Sequence, residues 1–135
     1  MGRQFVIELE NRPGELAHLA RALAVRGIDI RHISCVGSGP LAHAFISTSD
    51  DAATREVLHG LGHEFIEGSP VVVDVDDRPG GLADVTKKLA RAGVNILGAL
   101  TVGRRPGVVE MAFAVDDEAK ARQALGLEEL SAVAR

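Results

Sequence analysis

Phe5, Ile7 and Leu9 alternate with Val6, Glu8 and Glu10, and Val71, Val73 and Val75 alternate with Val72, Asp74 and Asp76. A period of two with acidic residues on one face predicts a half-buried strand in each place. The period then lengthens. Leu16, Leu19, Ala20, Leu23 and Ala24 recur at helical spacing, as do Leu82, Val85, Leu89 and Ala90, so a helix with one apolar stripe follows each strand. Glu15, Arg21 and Arg26 lie off the first stripe, and Asp84, Lys87, Lys88 and Arg91 off the second. Gly27 and Gly93 stand where a left-handed residue ends a helix.

Second strands begin at Ile28-Asp29-Ile30 and Val94-Asn95-Ile96. In the later one Val94, Ile96, Leu100 and Val102 are expected on one face, with Leu97 and Ala99 on the face away from the helices. In the earlier one the alternation slips at Arg31-His32, which predicts a bulge. Turns follow at Gly37-Ser38-Gly39-Pro40 and Gly103-Arg104-Arg105-Pro106-Gly107, the arginines reading as a solvated hairpin tip. Third strands are predicted over 43–48 and 109–115. Asp50-Asp51 and Asp116-Asp117 then introduce short helices, 51–61 and 117–126, where capping explains these carboxylates better than acid–base chemistry does. Last strands are placed at 64–67 and 130–134. The order is βαββαβ, twice. It predicts an α+β fold of two ferredoxin-like units, residues 1–68 and 69–135, each an antiparallel sheet with both helices on one face.

The two series are copies. Pro13 recurs as Pro79, and the same spacing of 66 runs without a gap from Phe5/Val71 to Gly60/Gly126, with 17 identities in the 57 pairs from 4/70 to 60/126. A unit of 66 residues rarely holds itself together by its own core, so the halves are expected to lean on each other, and the apolar outer face of Leu97 and Ala99 adds the expectation of a homodimer. A net charge of −4 argues against a general nucleic-acid binder, and no apolar run is long enough for a membrane span. Met1-Gly2-Arg3 leads directly into a strand pattern, so no signal peptide is expected and a cytoplasmic location is. Cys35 has no second cysteine to pair with and is expected as a buried small apolar residue. His18, His32, His43, His59 and His63 match no zinc spacing and read as surface or edge residues; neither metal nor cofactor is expected.

One segment carries chemistry in both copies: Asn11-Arg12-Pro13-Gly14-Glu15-Leu16-Ala17 and Asp77-Arg78-Pro79-Gly80-Gly81-Leu82-Ala83. Proline forces the arginine before it into an extended conformation and itself suits the first turn of a helix. Gly14 and Gly80 let a ligand approach the backbone. The first amides of the helix then point out of the turn at the positive end of the helix dipole, where a carboxylate is the natural occupant. Asn11 and Asp77 at the rim either receive an ammonium group or bond the local backbone.

A strand, then Asn/Asp-Arg-Pro-Gly-x-Leu-Ala, then a helix ending in Gly-Ile/Val-Asp/Asn-Ile resembles the ACT domain, here in tandem over nearly the whole chain. The resemblance implies a regulatory module whose units pair side by side and bind an amino acid between them, with the turn of one unit as one wall and the head of the neighbour's second strand as the other. It implies a site at Asn11, Arg12, Pro13, Gly14, Glu15 and Leu16 faced by Asn95 and Ile96. A second, weaker site follows at Asp77, Gly80, Gly81 and Leu82 faced by Asp29 and Ile30, where two carboxylates repel a ligand's own. The expected partners are a small amino acid and a metabolic enzyme or regulator acted on in trans.

Two other classes share the βαββαβ order. An enzyme of the acylphosphatase type needs a nucleophile–base set or a catalytic arginine–asparagine arrangement, and neither is recognisable. An RNA-binding sheet needs aromatic residues on its central strands, whereas this acidic chain has four Phe, no Tyr and no Trp. The reading is therefore non-catalytic, with a ligand-free assembly scaffold as the alternative.

Overall fold

The computed structural model describes residues 2–127, and the chain divides into two compact units, Met1–Ser69 and Pro70–Arg135. In unit 1 the elements are β1 (Gln4–Glu10), α1 (Glu15–Ala24), β2 (Ile30–Ser38), β3 (Leu41–Thr48), α2 (Asp51–Leu61) and β4 (Phe65–Gly68). The sheet order is β2-β3-β1-β4 and every pairing is antiparallel. Phe5, Ile7 and Leu9 of β1 and Ala44 and Ile46 of β3 bury one sheet face under Leu19 and Leu23 of α1 and Val57 and Leu58 of α2. Alternation along each strand thus puts both helices on the same side. Buried hydroxyls of Thr48 and Thr54, 2.7 Å apart, join the end of β3 to the first turn of α2.

Unit 2 contains β5 (Val71–Asp76), α3 (Gly81–Arg91), β6 (Ile96–Arg105), β7 (Val108–Val115) and α4 (Glu118–Ala124), with sheet order β5-β7-β6. Val71, Phe113 and Val115 pack with Leu89 of α3 and Ala121 of α4. The fold class is α+β, compatible with two ferredoxin-like units. The strand expected at 130–134 lies outside the described residues.

Several local expectations hold for identifiable reasons. The register shifts between Ile30 and His32, placing the bulge at Arg31. Gly27 and Gly93 have φ of 70° and 75°, the left-handed conformation that glycine adopts without a Cβ clash. Asp50 caps α2 by accepting from the Ala53 amide at 2.9 Å, and Asp117 caps α4 by accepting from that of Lys120 at 3.0 Å.

Other expectations are corrected. The spacing of 66 does not run through the whole repeat. Phe5 pairs with Ile46 and Val71 with Phe113, so β3 and β7 correspond at a spacing of 67. The extra residue is Val102, taken up by a bulge between Thr101 and Gly103. A first bulge between Ile96 and Gly98 also reverses the expected faces. Ala99 pairs with Phe113 of the core and so lies on the helix side, while Leu100 pairs with Ala112 on the other. Cys35 is exposed, not buried, because β2 is an edge strand beyond the cover of the helices. Arg104 and Arg105 are solvated as expected, but they end β6 and also pair with Asp77 at 3.2 Å and Asp74 at 2.5 Å. Among the histidines, His18, His43 and His59 are exposed, but Nε2 of His63 is buried without a hydrogen-bond partner.

Candidate functional site

Both motif turns form by the same backbone bonds. The amide of Arg12 donates to Glu10 O and that of Arg78 to Asp76 O, which turns the chain back at the end of β1 and of β5. Gly14 and Gly80 then adopt φ of 90° and 92° at the helix N-cap. Their conservation of shape therefore begins with backbone geometry: a Cβ at this φ is strained whether or not a ligand is near. The turns differ in tightness. Gly81 donates to Arg78 O at 3.0 Å and a Cβ on it would stand 2.0 Å from Asp76 O, whereas Glu15, its counterpart, reaches Arg12 O at 3.4 Å.

Neither α1 nor α3 has a side-chain cap. The amides of Leu16 and Ala17, and those of Leu82 and Ala83, have no acceptor among the described residues. A helix head left in this state presents unsatisfied donors and the positive end of the dipole. Leu16 and Leu82 sit beside these amides at 40% and 48% exposure, outside the buried stripe to which periodicity assigns them.

The turn arginines are already committed. Arg12 contacts Glu10 at 2.7 Å and Glu15 at 2.5 Å, and Arg78 contacts Asp84 at 2.8 Å and Asp76 at 3.4 Å. The hydrogen bond to Glu15, reinforced by the charges of Glu10 and Glu15, raises the pKa of Arg12; that to Asp84 does the same for Arg78. Both guanidiniums hold the turn more than they reach outward.

The rim residues are engaged by the hairpins of their own units. Asn11 donates through its amide to Pro40 O and through Nδ2 to Gly39 O, each at 3.0 Å, while its Oδ1 has no donor among the described residues. Of the two readings open for Asn11, local backbone bonding is the one observed for Nδ2. Asp77 donates its amide to Gly107 O at 3.0 Å and accepts from Arg104 Nη1. The second turn thus carries a neutralised carboxylate. Arg104 is the residue sequence reasoning missed; only a spacing of 67 would have placed it there.

Asp29 and Asn95, the expected facing residues, are exposed and held through their backbones. The Asp29 amide donates to Ser49 Oγ at 2.8 Å, and the Asn95 amide to Asp116 Oδ1 at 3.0 Å. Asp116 therefore braces Asn95 and leaves the cap to Asp117. Ile30 packs against the core of unit 1, and Ile96 against that of unit 2. Two grooves take in four of the expected site residues, Arg12 and Glu15 in one and Asn95 and Ile96 in the other, and neither takes in Asn11, Asp29, Ile30 or Asp77. One of about 500 Å³ runs in unit 1 between Arg12, Glu15 and His18 and the Leu61–Glu64 loop. The other, about 450 Å³, lies in unit 2 between Ala83, Thr86 and Lys87 of α3 and the Val94-Asn95-Ile96 segment. Among the described residues no three His, Cys, Asp or Glu side chains come together to hold a metal, and no helix is long and apolar enough to cross a membrane.

Residues 71–135, which lie in the second unit, match the family model of the ACT domain. No curated protein matches the chain. Among solved structures, protein BT0572 from Bacteroides thetaiotaomicron is similar with a TM-score of 0.73 at 21% identity, over 93% of this chain and 86% of that one. The regulatory subunit of aspartate kinase from Thermus flavus has a TM-score of 0.66 at 21% identity, covering 93% and 92%. That from Thermus thermophilus, in a ligand-free form, has 0.62 at 20%, covering 93% and 91%. At these identities the likeness is one of fold.

Proposed function

We propose that this chain is a non-catalytic regulatory module that binds a small amino acid at the head of α1 and acts through contact with a partner protein or its own oligomer. The observation that carries the reading is the uncapped head of α1, where the amides of Leu16 and Ala17 are free, in the same turn segment as Asn11, whose Oδ1 accepts no hydrogen bond among the described residues. Donors and dipole suit a carboxylate, and a neutral acceptor suits an ammonium group, the two ends of a zwitterion. Exposed Leu16 offers apolar contact to its side chain. Asn95 and Ile96, which line the groove of unit 2, are further candidate ligand contacts. The ACT match and the fold shared with kinase regulatory subunits support a regulatory role.

A thermal-shift screen against the common amino acids tests this. A ligand at 100 times its Kd adds about 2.7 kcal/mol to stability. We expect one amino acid or a close group to shift the wild type, with the shift lost in Asn11→Ala and Asn95→Ala. No shift from any of them would leave the assembly-scaffold reading in its place. That alternative draws on the exposed apolar residues of the β2–β3 hairpin, Ile33 at 44%, Val36 at 69% and Leu41 at 39%.

A further inference from the structure

The rims of the two motif turns differ at two matched pairs of positions, Asn11 against Asp77 and Gly37 against Arg104. Gly37 pairs with Ala42 and Arg104 with Val109, so in the structural register Arg104 occupies the place of Gly37. Constant sequence spacing matches Gly37 to Gly103 instead and hides the correspondence. In unit 1 the bare backbone of Gly37 lets the Asn11 side chain lie against the strand; a Cβ there would stand 2.6 Å from Asn11 Oδ1. In unit 2 the same place carries a guanidinium 3.2 Å from Asp77 Oδ2. The exchange is complementary: a neutral amide beside glycine in one unit, a carboxylate beside a cation in the other.

Resting on the reading that the turn takes a zwitterion, we infer that Arg104 is a tethered stand-in for the ligand's ammonium group and makes the second turn the disfavoured site. The head of α3 has the same uncapped amides as that of α1, so free donors alone do not separate the units. What separates them is the group at the rim. Asn11 keeps an acceptor open, while Asp77 already has a cation at its carboxylate. A free ligand must displace that cation, and its apparent affinity falls by the fraction of time the pair is apart. For an exposed ion pair this factor is about two- to fivefold. The length of the arginine side chain adds bulk at the mouth of the turn that unit 1 lacks.

The test is calorimetric titration of the whole chain with each common amino acid. It compares the wild type, Arg104→Lys, and two double variants, Asp77→Asn with Arg104→Gly and Asp77→Asn with Arg104→Gln. Far-UV circular dichroism checks that each is folded, and the glutamine variant removes the charge without adding a flexible residue. Each double variant is expected to bind at the second turn about two- to fivefold more tightly than the wild type does, with the first turn unaffected and Arg104→Lys unchanged. Adding Asn11→Ala should remove the first-turn equivalent and spare the second. Unchanged affinities in both double variants overturn the inference, as does weaker binding at the second turn, which would make Arg104 a receptor for the carboxylate. The two readings fail separately. Binding that Asn11→Ala leaves intact in the wild type and that both double variants tighten sinks the proposed function and upholds the role of Arg104.

Discussion

Phe113 of β7 stands directly across from Val71 of β5. At the same place in unit 1 the ring is on the other strand, Phe5 of β1 facing Ile46 of β3, and all four side chains are at most 1% exposed. Each core pair thus carries one ring and one aliphatic residue, with the order reversed. Cores penalise both missing and excess volume, so the pair and not the position is what the fold constrains. Phe113→Ala should cost about 3–5 kcal/mol in urea unfolding. Phe113→Ile and Val71→Phe should each destabilise, the second by about 1–3 kcal/mol. Combined, they should cost less than their sum.

The second motif turn should tolerate no side chain at Gly81. Gly80→Ala meets only its left-handed φ of 92°, a strain of about 1–2 kcal/mol, since the nearest atom to the new Cβ is the flexible end of Arg78. Gly81→Ala meets backbone, Asp76 O at 2.0 Å. Thermal unfolding should therefore place Gly81→Ala clearly below Gly80→Ala.

Acid should weaken the protein through Glu67. This carboxylate, with 15% side-chain exposure, accepts from Arg55 Nε at 2.8 Å, from Arg55 Nη2, and from Arg3 Nε at 2.9 Å. The Arg55 hydrogen bond chiefly, with Arg3 adding to it against the cost of burial, holds its pKa below the usual 4.5. A carboxyl whose pKa is lower folded than unfolded contributes stability above the unfolded value and loses it as pH falls through the folded one. The loss therefore lies below pH 4.5. Glu67→Gln should lower stability at neutral pH by about 1 kcal/mol and flatten the acid limb of the urea midpoint.

Cys35 should react in the native state. It is exposed on an edge strand, so a thiol-specific maleimide should label it fully, and urea should not speed the labelling appreciably. Labelling seen only after unfolding would contradict its placement.

The fold was legible where local chemistry and periodicity agree. Leu19 and Leu23 mark the buried face of α1, Gly27 ends it, and the broken alternation at Arg31-His32 announces a bulge that the backbone contains. The inserted Val102 was not legible, because Val36, Gly37 and Pro40 meet Val102, Gly103 and Pro106 as identities at the constant spacing. Cross-strand hydrogen bonds fix the register instead, and one-dimensional matching does not see them. Cys35 misled for a related reason: its strand pattern is sound, but burial depends on which strand lies at the edge. For the candidate site, the uncapped helix heads followed from Pro-Gly chemistry. The partners of Asn11 and Asp77 did not, since each comes from a hairpin about 27 residues further along.

The odd residue in β6 makes the halves non-interchangeable parts. Grafting a side chain from one half to the other by fixed counting delivers it correctly before that bulge, and one place out, on the wrong side of the sheet, after it. A chimera in which unit 1 leads and fixed counting sets a junction beyond Thr101 therefore carries one residue too many for its core to close.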